Sequence, residues 1–222
     1  MTGVQTCALP ILATIRAAAG TLRGNGDAVG RESLDAIERE VEYLNRLVTN
    51  LLDLSRIEAG AIRANNEPFE LDDVVGATLE RLTPRFEGRP LQRAVGREVV
   101  AADPVFLDAS LTNVIENALR HTAPGTQIRV STRTVGGAAR LTVEDSGPGA
   151  PDELLPRLFE KFYRVPGSRA SRHGTGIGLA VVDGLVRAMG GHVAARRSEL
   201  GGLAIDIDLP LAQLPAELAV AH

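Results

Sequence analysis

The first half of the chain carries a helical repeat of apolar residues. Between Arg31 and Glu58, apolar side chains recur in steps of three and four at Leu34, Ile37, Val41, Leu44, Val48 and Leu51. This spacing is typical of the seam between packed helices. Leu47 and Leu52 widen the stripe beyond what a two-stranded coil needs, which favours a four-helix bundle. An amphipathic helix packed on its own domain would show a similar pattern.

A shorter apolar helix is predicted upstream, from about Leu12 to Leu22, and it ends at the turn Gly24-Asn25-Gly26. The two helices would form a helical hairpin over residues 12–62. Hairpins from two chains would complete the bundle, so a homodimer is predicted.

After Gly60 the apolar spacing changes, and a second domain is predicted over residues 65–210, followed by a tail over 211–222. Its predicted strands are Glu67–Leu71, Leu91–Val95, Glu98–Ala102, Ile128–Thr134, Arg140–Glu144, Val193–Arg197 and Leu203–Leu209. Gly136-Gly137 is a hairpin signal between the fourth and fifth of these strands, and the last two pair around Gly201-Gly202. Its predicted helices are Leu71–Phe86, one opened by Asp103-Pro104 that runs to His121, and one that starts at Gly174. The predicted fold class is an α/β (α+β) two-layer sandwich, a mixed sheet covered by helices, after a helical hairpin.

The composition limits the possible functions. The 222 residues are 44% hydrophobic and 23% charged, as in a folded soluble protein. The net charge of -4 predicts no broad contact with nucleic acid, so any phosphate binding should be local. A single cysteine, Cys7, allows no internal disulfide and fits the reducing cytoplasm. The longest apolar run, Cys7–Ile15, is far shorter than the ~20 residues of a membrane-spanning helix.

The segment Asp145-Ser146-Gly147-Pro148-Gly149 places a carboxylate at the end of a predicted strand. Gly147 and Gly149 would let a ligand approach the backbone closely. An ionised carboxylate only accepts hydrogen bonds, so Asp145 suits the exocyclic amine of adenine and does not match the carbonyl of guanine. Taken alone, Asp-x-Gly-x-Gly is also a common turn sequence.

A second glycine-rich segment, His173-Gly174-Thr175-Gly176-Ile177-Gly178-Leu179, passes into a helical pattern. Backbone N–H groups at a helix N-terminus bind phosphate, so this loop is a candidate phosphate site. A Rossmann dinucleotide site is the competing interpretation, but no well-formed strand precedes the loop and the next parallel unit is missing. The absence of Gly-Lys-Ser/Thr excludes a P-loop.

Asn113 and Asn117 are four residues apart and therefore share one face of the helix opened by Asp103. Neutral amide oxygens can ligate Mg²⁺ beside a nucleotide triphosphate. Arg120 extends this face and would hold a phosphate. A solvated polar face is the alternative for the two asparagines, and His121 alone is more typical of a surface or packing histidine.

Three of the chain's seven Phe and Tyr residues lie between the two glycine segments, in Phe159-Glu160-Lys161-Phe162-Tyr163-Arg164. A basic stretch with Arg169 and Arg172 follows. Aromatic rings would dock a nucleotide lid, and its arginines would reach the terminal phosphate when the lid closes. An amphipathic helix followed by a solvated loop is the alternative.

Taken together and in this order, these four segments resemble the N, G1, F and G2 boxes of sensor histidine kinases. The resemblance covers about residues 65–210, the ATPase domain, and Leu54-Ser55-Arg56-Ile57-Glu58-Ala59-Gly60 looks like the end of the family's HisKA dimerisation and phosphotransfer hairpin. Leu12–Leu22 and Ser55–Gly60 look most like the potassium-responsive Kdp type. The resemblance implies a Bergerat α/β sandwich, ATP with Mg²⁺, and transfer of the γ-phosphoryl group to a histidine and then to a response-regulator aspartate.

The resemblance also implies roles for single residues on the predicted helix that follows Asp103. Asn117 resembles the magnesium ligand, and Asn113 resembles its helical neighbour at the phosphates. Arg120 stands at the position of a basic residue that is usually lysine. His121 stands where many members have tyrosine, so a lesser role is expected for it.

The remaining implied sites lie in the glycine and aromatic segments. Asp145, with Gly147 and Gly149, would hold adenine. Phe159 and Phe162 match the lid anchor, and Arg164 matches a lid arginine that acts on the γ-phosphate. The phosphate-side loop would consist of Gly174, Thr175, Gly176, Ile177, Gly178 and Leu179.

The sequence departs from the family at the phosphoacceptor. The family places this histidine about five residues before a proline, and here that place falls on Gln5 or Thr6, neither of which is the required nucleophile. The four histidines of the chain all lie in or after the ATPase domain: His121, His173, His192 and His222. Residues 1–11 are therefore expected to be a foreign or damaged start on a truncated kinase gene, whose sensor and membrane segments would have preceded it.

Three functions remain open from the sequence. The leading hypothesis is an autokinase transmitter fragment that binds ATP but lacks its own acceptor. The second is a degenerate kinase that acts as an ATP-responsive dimeric binding module. The third is a Bergerat-fold ATPase of the chaperone, mismatch-repair and topoisomerase group, which needs a glutamate where Asn113 stands and a transducer domain where only Leu211–His222 follows.

Overall fold

The computed structural model describes residues 28–86, 88–166 and 175–213, without the side chains of residues 28–36, 38, 39, 42 and 45. The chain divides into two compact units, Met1–Asp53 and Leu54–His222. The second unit thus includes the end of the long helix, whereas the sequence predicted a boundary near Asn65. Several predicted features lie outside the described residues: residues 1–11, helix Leu12–Leu22, Arg169, Arg172, His173, Gly174 and residues 214–222.

A long helix, α1 (Ala28–Glu58), confirms the helix predicted from the apolar repeat. Two positions of the predicted seam, Val41 and Val48, are exposed, whereas Tyr43 and Leu47, which lie beside the seam, are buried. Among the side chains of this helix that the structure describes, the exposed large apolar ones are Val41, Val48 and Leu52, at 44%, 53% and 53% exposure. Their spacing of seven and four residues corresponds to successive core positions of a heptad repeat.

Within the described residues, the second unit has seven strands in two sheets. The strands are β1 (Glu67–Glu70), β2 (Leu91–Ala94), β3 (Val99–Ala102), β4 (Ile128–Val135), β5 (Ala138–Asp145), β6 (His192–Arg197) and β7 (Leu203–Pro210). β1 pairs with β3, and the other five form a sheet in the order β2-β4-β5-β7-β6, where the β2–β4 pair is parallel and the rest antiparallel. The predicted mixed sheet and the hairpin turn at Gly136-Gly137 are confirmed.

Three helices of this unit are α2 (Leu71–Leu82), α3 (Pro104–His121) and α4 (Gly178–Ala188). The predicted helix to Phe86 ends earlier as an α-helix and continues as the 3₁₀ turn Thr83–Arg85. Pro84 explains the change, because proline lacks an N–H donor and disfavours the α conformation of the residue before it.

The last helix begins at Gly178, and not at Gly174 as predicted. Gly176 has φ +68°, a left-handed conformation that a right-handed helix cannot include. The hydroxyl oxygen of Thr175 accepts a hydrogen bond from the backbone N–H of Ile177 at 3.2 Å, so a local turn precedes the helix.

The start of α3 confirms the predicted Asp-Pro cap. Asp103 Oδ1 accepts hydrogen bonds from the backbone N–H groups of Val105, at 2.9 Å, and Phe106, at 3.2 Å. Asp103 Oδ2 accepts a third from the N–H of Asn65 at 2.8 Å. One buried carboxylate therefore satisfies two donors at the helix start and fastens the segment before β1.

Alternation along β5 separates an apolar face from a polar face of the sheet. Ala139, Leu141 and Val143 lie in the hydrophobic core, together with residues of α2, α3 and α4. The intervening residues carry polar groups on the other face, where Arg140 pairs with Asp208 at 2.6 Å. Asp145 lies two residues after Val143 and therefore on the same face of the strand. Its carboxylate is thus on the side of the sheet that the helices cover.

Candidate active site

A small cavity lies where the end of β5 meets α3. Its lining consists of Val114, Asn117, Ala118, Val143, Asp145, Leu203 and Ile205. Five of these seven residues are apolar, and only Asn117 and Asp145 contribute polar side chains. Apolar walls with a few placed polar groups are the lining that small-molecule sites share, but this cavity is much smaller than a site that encloses a whole ligand. The fold thus brings together two residues that the sequence predicted separately, one from the helix and one from the strand end.

Asp145 is a buried carboxylate held by backbone donors. Its Oδ1 accepts hydrogen bonds from the N–H of Gly147 at 2.8 Å and, more weakly, from the N–H of Leu203 at 3.4 Å. Burial raises the pKa of Asp145 above its ordinary 3.8, although these two hydrogen bonds lower it; the charge of Glu144 raises it slightly. No described residue donates a hydrogen bond to Oδ2. Oδ2 is therefore available to accept a further hydrogen bond.

The turn after β5 packs tightly against the end of α3. A Cβ atom at Gly147 would lie 2.7 Å from the Thr122 methyl group and 2.8 Å from Asp145 Oδ1, so only glycine fits there. Thr122 is buried, and its hydroxyl group donates to the carbonyl oxygen of Ala118 at 2.7 Å. Gly149 has φ +66° and lies against the carbonyl group of Gly202. Gly147 and Gly149 therefore allow the backbone to pack closely around Asp145.

The predicted polar face of α3 is only partly directed to the cavity. Asn117 lines it, whereas Asn113 is not among the lining residues. The Nδ2 group of Asn113 donates to the carbonyl oxygen of Ala109 at 3.0 Å, so a ligand role falls to its Oδ1. Glu116 is buried beside this face and pairs with Arg85, and Arg120 lies 4.0 Å from the same carboxylate.

A basic cluster lies at the C-terminal end of α3. His121 is exposed, yet desolvation by its neighbours lowers its pKa below 6.5, and the charges of Arg120 and Arg164 lower it further. The imidazole is therefore neutral at neutral pH. Since Arg164 influences this pKa, the structure brings the predicted lid arginine near the predicted phosphate arginine, Arg120.

The base of the predicted lid is closed by backbone contacts. The N–H of Phe162 donates to the carbonyl oxygen of Gly176 at 2.8 Å. A Cβ atom at Gly176 would lie 2.8 Å from the carbonyl oxygen of Tyr163, so this approach also requires glycine. The two ends of the segment between Phe162 and Gly176 are thus held together.

The aromatic residues of the lid differ from the prediction. Phe159 packs against the hydrophobic core as expected. The Phe162 ring does not dock: it is 54% exposed, and its backbone has a left-handed φ of +62°. Tyr163 instead stacks under the guanidinium of Arg157, 4.3 Å from the ring centroid.

The phosphate-side loop is described from Thr175 onward. Ile177 is buried, Gly178 is the first residue of α4, and Leu179 packs against the core. The first backbone N–H groups of α4 therefore follow directly after the contact between Gly176 and Phe162. This arrangement retains a helix N-terminus at the predicted phosphate loop, displaced from Gly174 to Gly178.

Sequence reasoning missed Thr122, Gly202 and Leu203 as site residues. Gly201-Gly202 was interpreted only as the turn between two strands, and an apolar Leu203 gave no chemical signal. Among the described residues, no group of three or more His, Cys, Asp and Glu side chains is placed to hold a metal ion. No described helix is long and apolar enough to cross a membrane.

Comparison with known families and proteins gives consistent matches. Residues 102–213 match the family of histidine kinase-, DNA gyrase B-, and HSP90-like ATPases, and residues 11–60 match the His Kinase A (phospho-acceptor) domain. The sensory/regulatory protein RpfC of Xanthomonas campestris is 34% identical over 197 residues, which are 84% of this chain and 27% of that protein. The sensor protein KdpD of Mycobacterium tuberculosis is 36% identical over 208 residues, 89% of this chain and 24% of that protein.

Solved structures give the same result. The histidine kinase AdeS of Acinetobacter baumannii superposes with a TM-score of 0.69 at 26% identity, covering 92% of this chain and 98% of that chain. The chain spans about a quarter of the length of the two curated relatives named above, and the Kdp type is among its relatives, as the sequence indicated. The family match and the shared α/β sandwich lead to one conclusion: the chain belongs to the sensor histidine kinases and contains their ATPase domain.

Proposed function

We propose that this chain is the ATP-binding catalytic part of a two-component sensor histidine kinase. It transfers the γ-phosphoryl group of ATP to a histidine on an acceptor hairpin, and the group then passes to an aspartate of a response regulator. The observation that carries this proposal is the meeting of Asp145 and Asn117 at one apolar cavity.

Asp145 reads the adenine base. Its Oδ1 is occupied by backbone N–H groups, and Oδ2 accepts a hydrogen bond from the exocyclic amine. A carboxylate in an apolar cavity makes a stronger hydrogen bond than one in water, and it penalises a base that presents a carbonyl there. The apolar walls supplied by Val143, Ile205 and Leu203 would contact the faces of the flat ring system.

The basic groups at the end of α3 act on the triphosphate. Arg120 and Arg164 supply positive charge, and the N-terminus of α4 supplies backbone N–H groups with the favourable end of the helix dipole. The lowered pKa of His121 keeps its imidazole neutral, so it contributes a hydrogen-bonding group and no further charge.

Mg²⁺ would be held by the Asn117 amide oxygen together with phosphate oxygens of the substrate and water. This donor set fits the ion, because magnesium takes hard oxygen ligands and is usually bound by few protein groups. When bound, the ion neutralises phosphate charge in the transferring group. The protein's own part is to place Asn117 on the same rigid helix that carries Arg120.

In the transfer, a nitrogen of the acceptor imidazole forms a bond to the γ-phosphorus while the bond from that phosphorus to the β–γ bridging oxygen breaks. ADP leaves with the bond's electron pair, and the imidazole proton passes to water. Since the acceptor position falls on Gln5 or Thr6 in this chain, the histidine is supplied by another hairpin. The reaction takes place in the cytoplasm, in a longer parent attached to the membrane by a sensor region.

The partners follow from the same proposal. The exposed apolar positions of α1, Val41, Val48 and Leu52, form a stripe that a second copy covers in a four-helix bundle. A response regulator receives the phosphoryl group.

Asp145→Asn is expected to abolish measurable ATP binding and leave the fold intact. The change removes a charge-assisted hydrogen bond worth about 1.5–3 kcal/mol and places an amide that can also donate opposite the adenine amine. Isothermal titration calorimetry measures the affinity. Asp152→Asn is the matched control, because that exposed carboxylate pairs with Arg197 on the surface. ATP affinity unchanged in Asp145→Asn would refute the adenine assignment.

The stability of the same variant should depend on pH. The raised pKa of Asp145 means that its ionised form costs folding free energy above its ordinary pKa of 3.8. Asp145→Asn should therefore resist urea better than the native chain at neutral pH, and the difference should shrink as the pH falls through the raised pKa toward 3.8. A difference that is constant with pH would mean that Asp145 is not desolvated in solution.

Val48→Arg is expected to convert a dimer into a monomer, because it places a charge in the apolar stripe of α1. Light scattering at micromolar concentration measures the mass. Thr49→Arg adds the same charge at the adjacent exposed position and should remain dimeric. A native chain that is already monomeric would contradict the proposed bundle.

A further inference from the structure

Asp145 is held from a distant part of the chain, the turn between β6 and β7. The N–H of Gly202 donates to the backbone carbonyl of Asp145 at 3.1 Å, and the N–H of Leu203 reaches its Oδ1 at 3.4 Å. The turn itself is closed by two backbone hydrogen bonds, from Ser198 to Gly202 at 2.9 Å and from Gly201 to Ser198 at 3.0 Å. Consecutive residues of this turn therefore contact both the backbone and the carboxylate of Asp145.

No side chain fits at Gly202. A Cβ atom there would overlap Asp145 Oδ1 and lie 2.6 Å from both the carbonyl oxygen of Asp145 and the backbone nitrogen of Gly147. Real Cβ atoms essentially never approach other heavy atoms below 3.0 Å. Two of these contacts are with backbone atoms, so a side chain at position 202 would displace both the carboxylate of Asp145 and the turn that holds it.

The turn is also fastened on the opposite face of the sheet. The Ser198 hydroxyl group donates to Glu144 Oε2 at 2.8 Å and accepts from the N–H of Leu200 at 2.9 Å. Glu144 is buried and pairs with Arg129 at 2.6 Å. Adjacent residues of β5, Glu144 and Asp145, thus anchor the same turn from the two faces of the strand, which fixes Gly202 against the carboxylate.

We propose that Gly202 is a positioning residue that determines base specificity: it keeps Asp145 Oδ1 between the N–H groups of Gly147 and Leu203, so that Oδ2 remains for the adenine amine. This inference rests on the proposed function of Asp145 in ATP binding. A side chain at position 202 displaces the carboxylate, and the site loses both the acceptor geometry and the discrimination against guanine.

Gly202→Ala is expected to weaken ATP binding at least tenfold and to reduce the preference for ATP over GTP. Gly201→Ala is the matched control: Gly201 has φ +102°, so alanine strains the same turn, but nothing lies within 4 Å of the added atom. The control should lower the thermal unfolding temperature and leave ATP affinity within about twofold of the native value. Affinity and ATP preference that are native in Gly202→Ala, or lost equally in both variants, would overturn the proposal.

The pH profile of ATP binding separates positioning from a loss of stability. The hydrogen bonds from Gly147 and Leu203 lower the pKa of Asp145, so their loss raises it. The acidic limb of ATP affinity should shift to higher pH in Gly202→Ala relative to the native chain and to Gly201→Ala. A merely destabilised variant would keep the native midpoint, and that result contradicts the proposal.

A measurement on the native chain covers the case in which Gly202→Ala does not fold. In NMR spectra, the amide resonances of Gly147 and Leu203 should shift with one common midpoint as Asp145 takes up its proton, and this transition should be absent in Asp145→Asn. If the amide resonances of Gly147 and Leu203 shifted with different midpoints, the proposed positioning of Asp145 Oδ1 between them would be overturned. Failure of the native chain to bind ATP, with the common midpoint present, would instead refute the proposed function and leave the contact established.

Discussion

The alternation of side chains along β5 is the constraint on which the site depends. Residues 139, 141 and 143 lie in the core, so the same alternation carries Asp145 to the helix-covered face. A shift of one residue would send the carboxylate to the polar face beside Arg129. Cross-strand contacts oppose such a shift, since Thr142 donates to Asp206 at 2.8 Å and Arg140 pairs with Asp208. Desolvation of Asp145, its raised pKa and its need for backbone donors all follow from this register.

Features set by local chemistry could be predicted from the sequence. The bounds of α3 follow from the Asp103-Pro104 cap and from apolar spacing over neighbouring turns, and the structure agrees. The hairpin at Gly136-Gly137 follows from two glycines between β-rich segments. Asp145 was predicted to lie at the end of a strand because it follows the β-rich segment Arg140–Glu144 directly. These signals require no knowledge of how distant parts of the chain meet.

Features set by packing between distant segments could not be predicted. The contact between Gly202 and Asp145 joins residues from different strands, and sequence shows only a turn glycine. Phe162 is exposed and has a left-handed backbone conformation, which favours glycine and which nothing in its residue type indicates. Gly176 contacts Phe162 in that conformation, and this delays the start of α4 to Gly178. The contact between Phe162 and Gly176 and the contact between Gly202 and Asp145 both depend on tertiary packing.

The proposed function requires that this chain keeps a competent catalytic site and lacks only its acceptor histidine. The most direct test is phosphoryl transfer from γ-labelled ATP, with the chain alone and then with an added transmitter hairpin that carries the acceptor histidine and no ATPase domain. We expect no label in the chain alone and label in the added hairpin. ATP binding without label in either protein would contradict the proposed function.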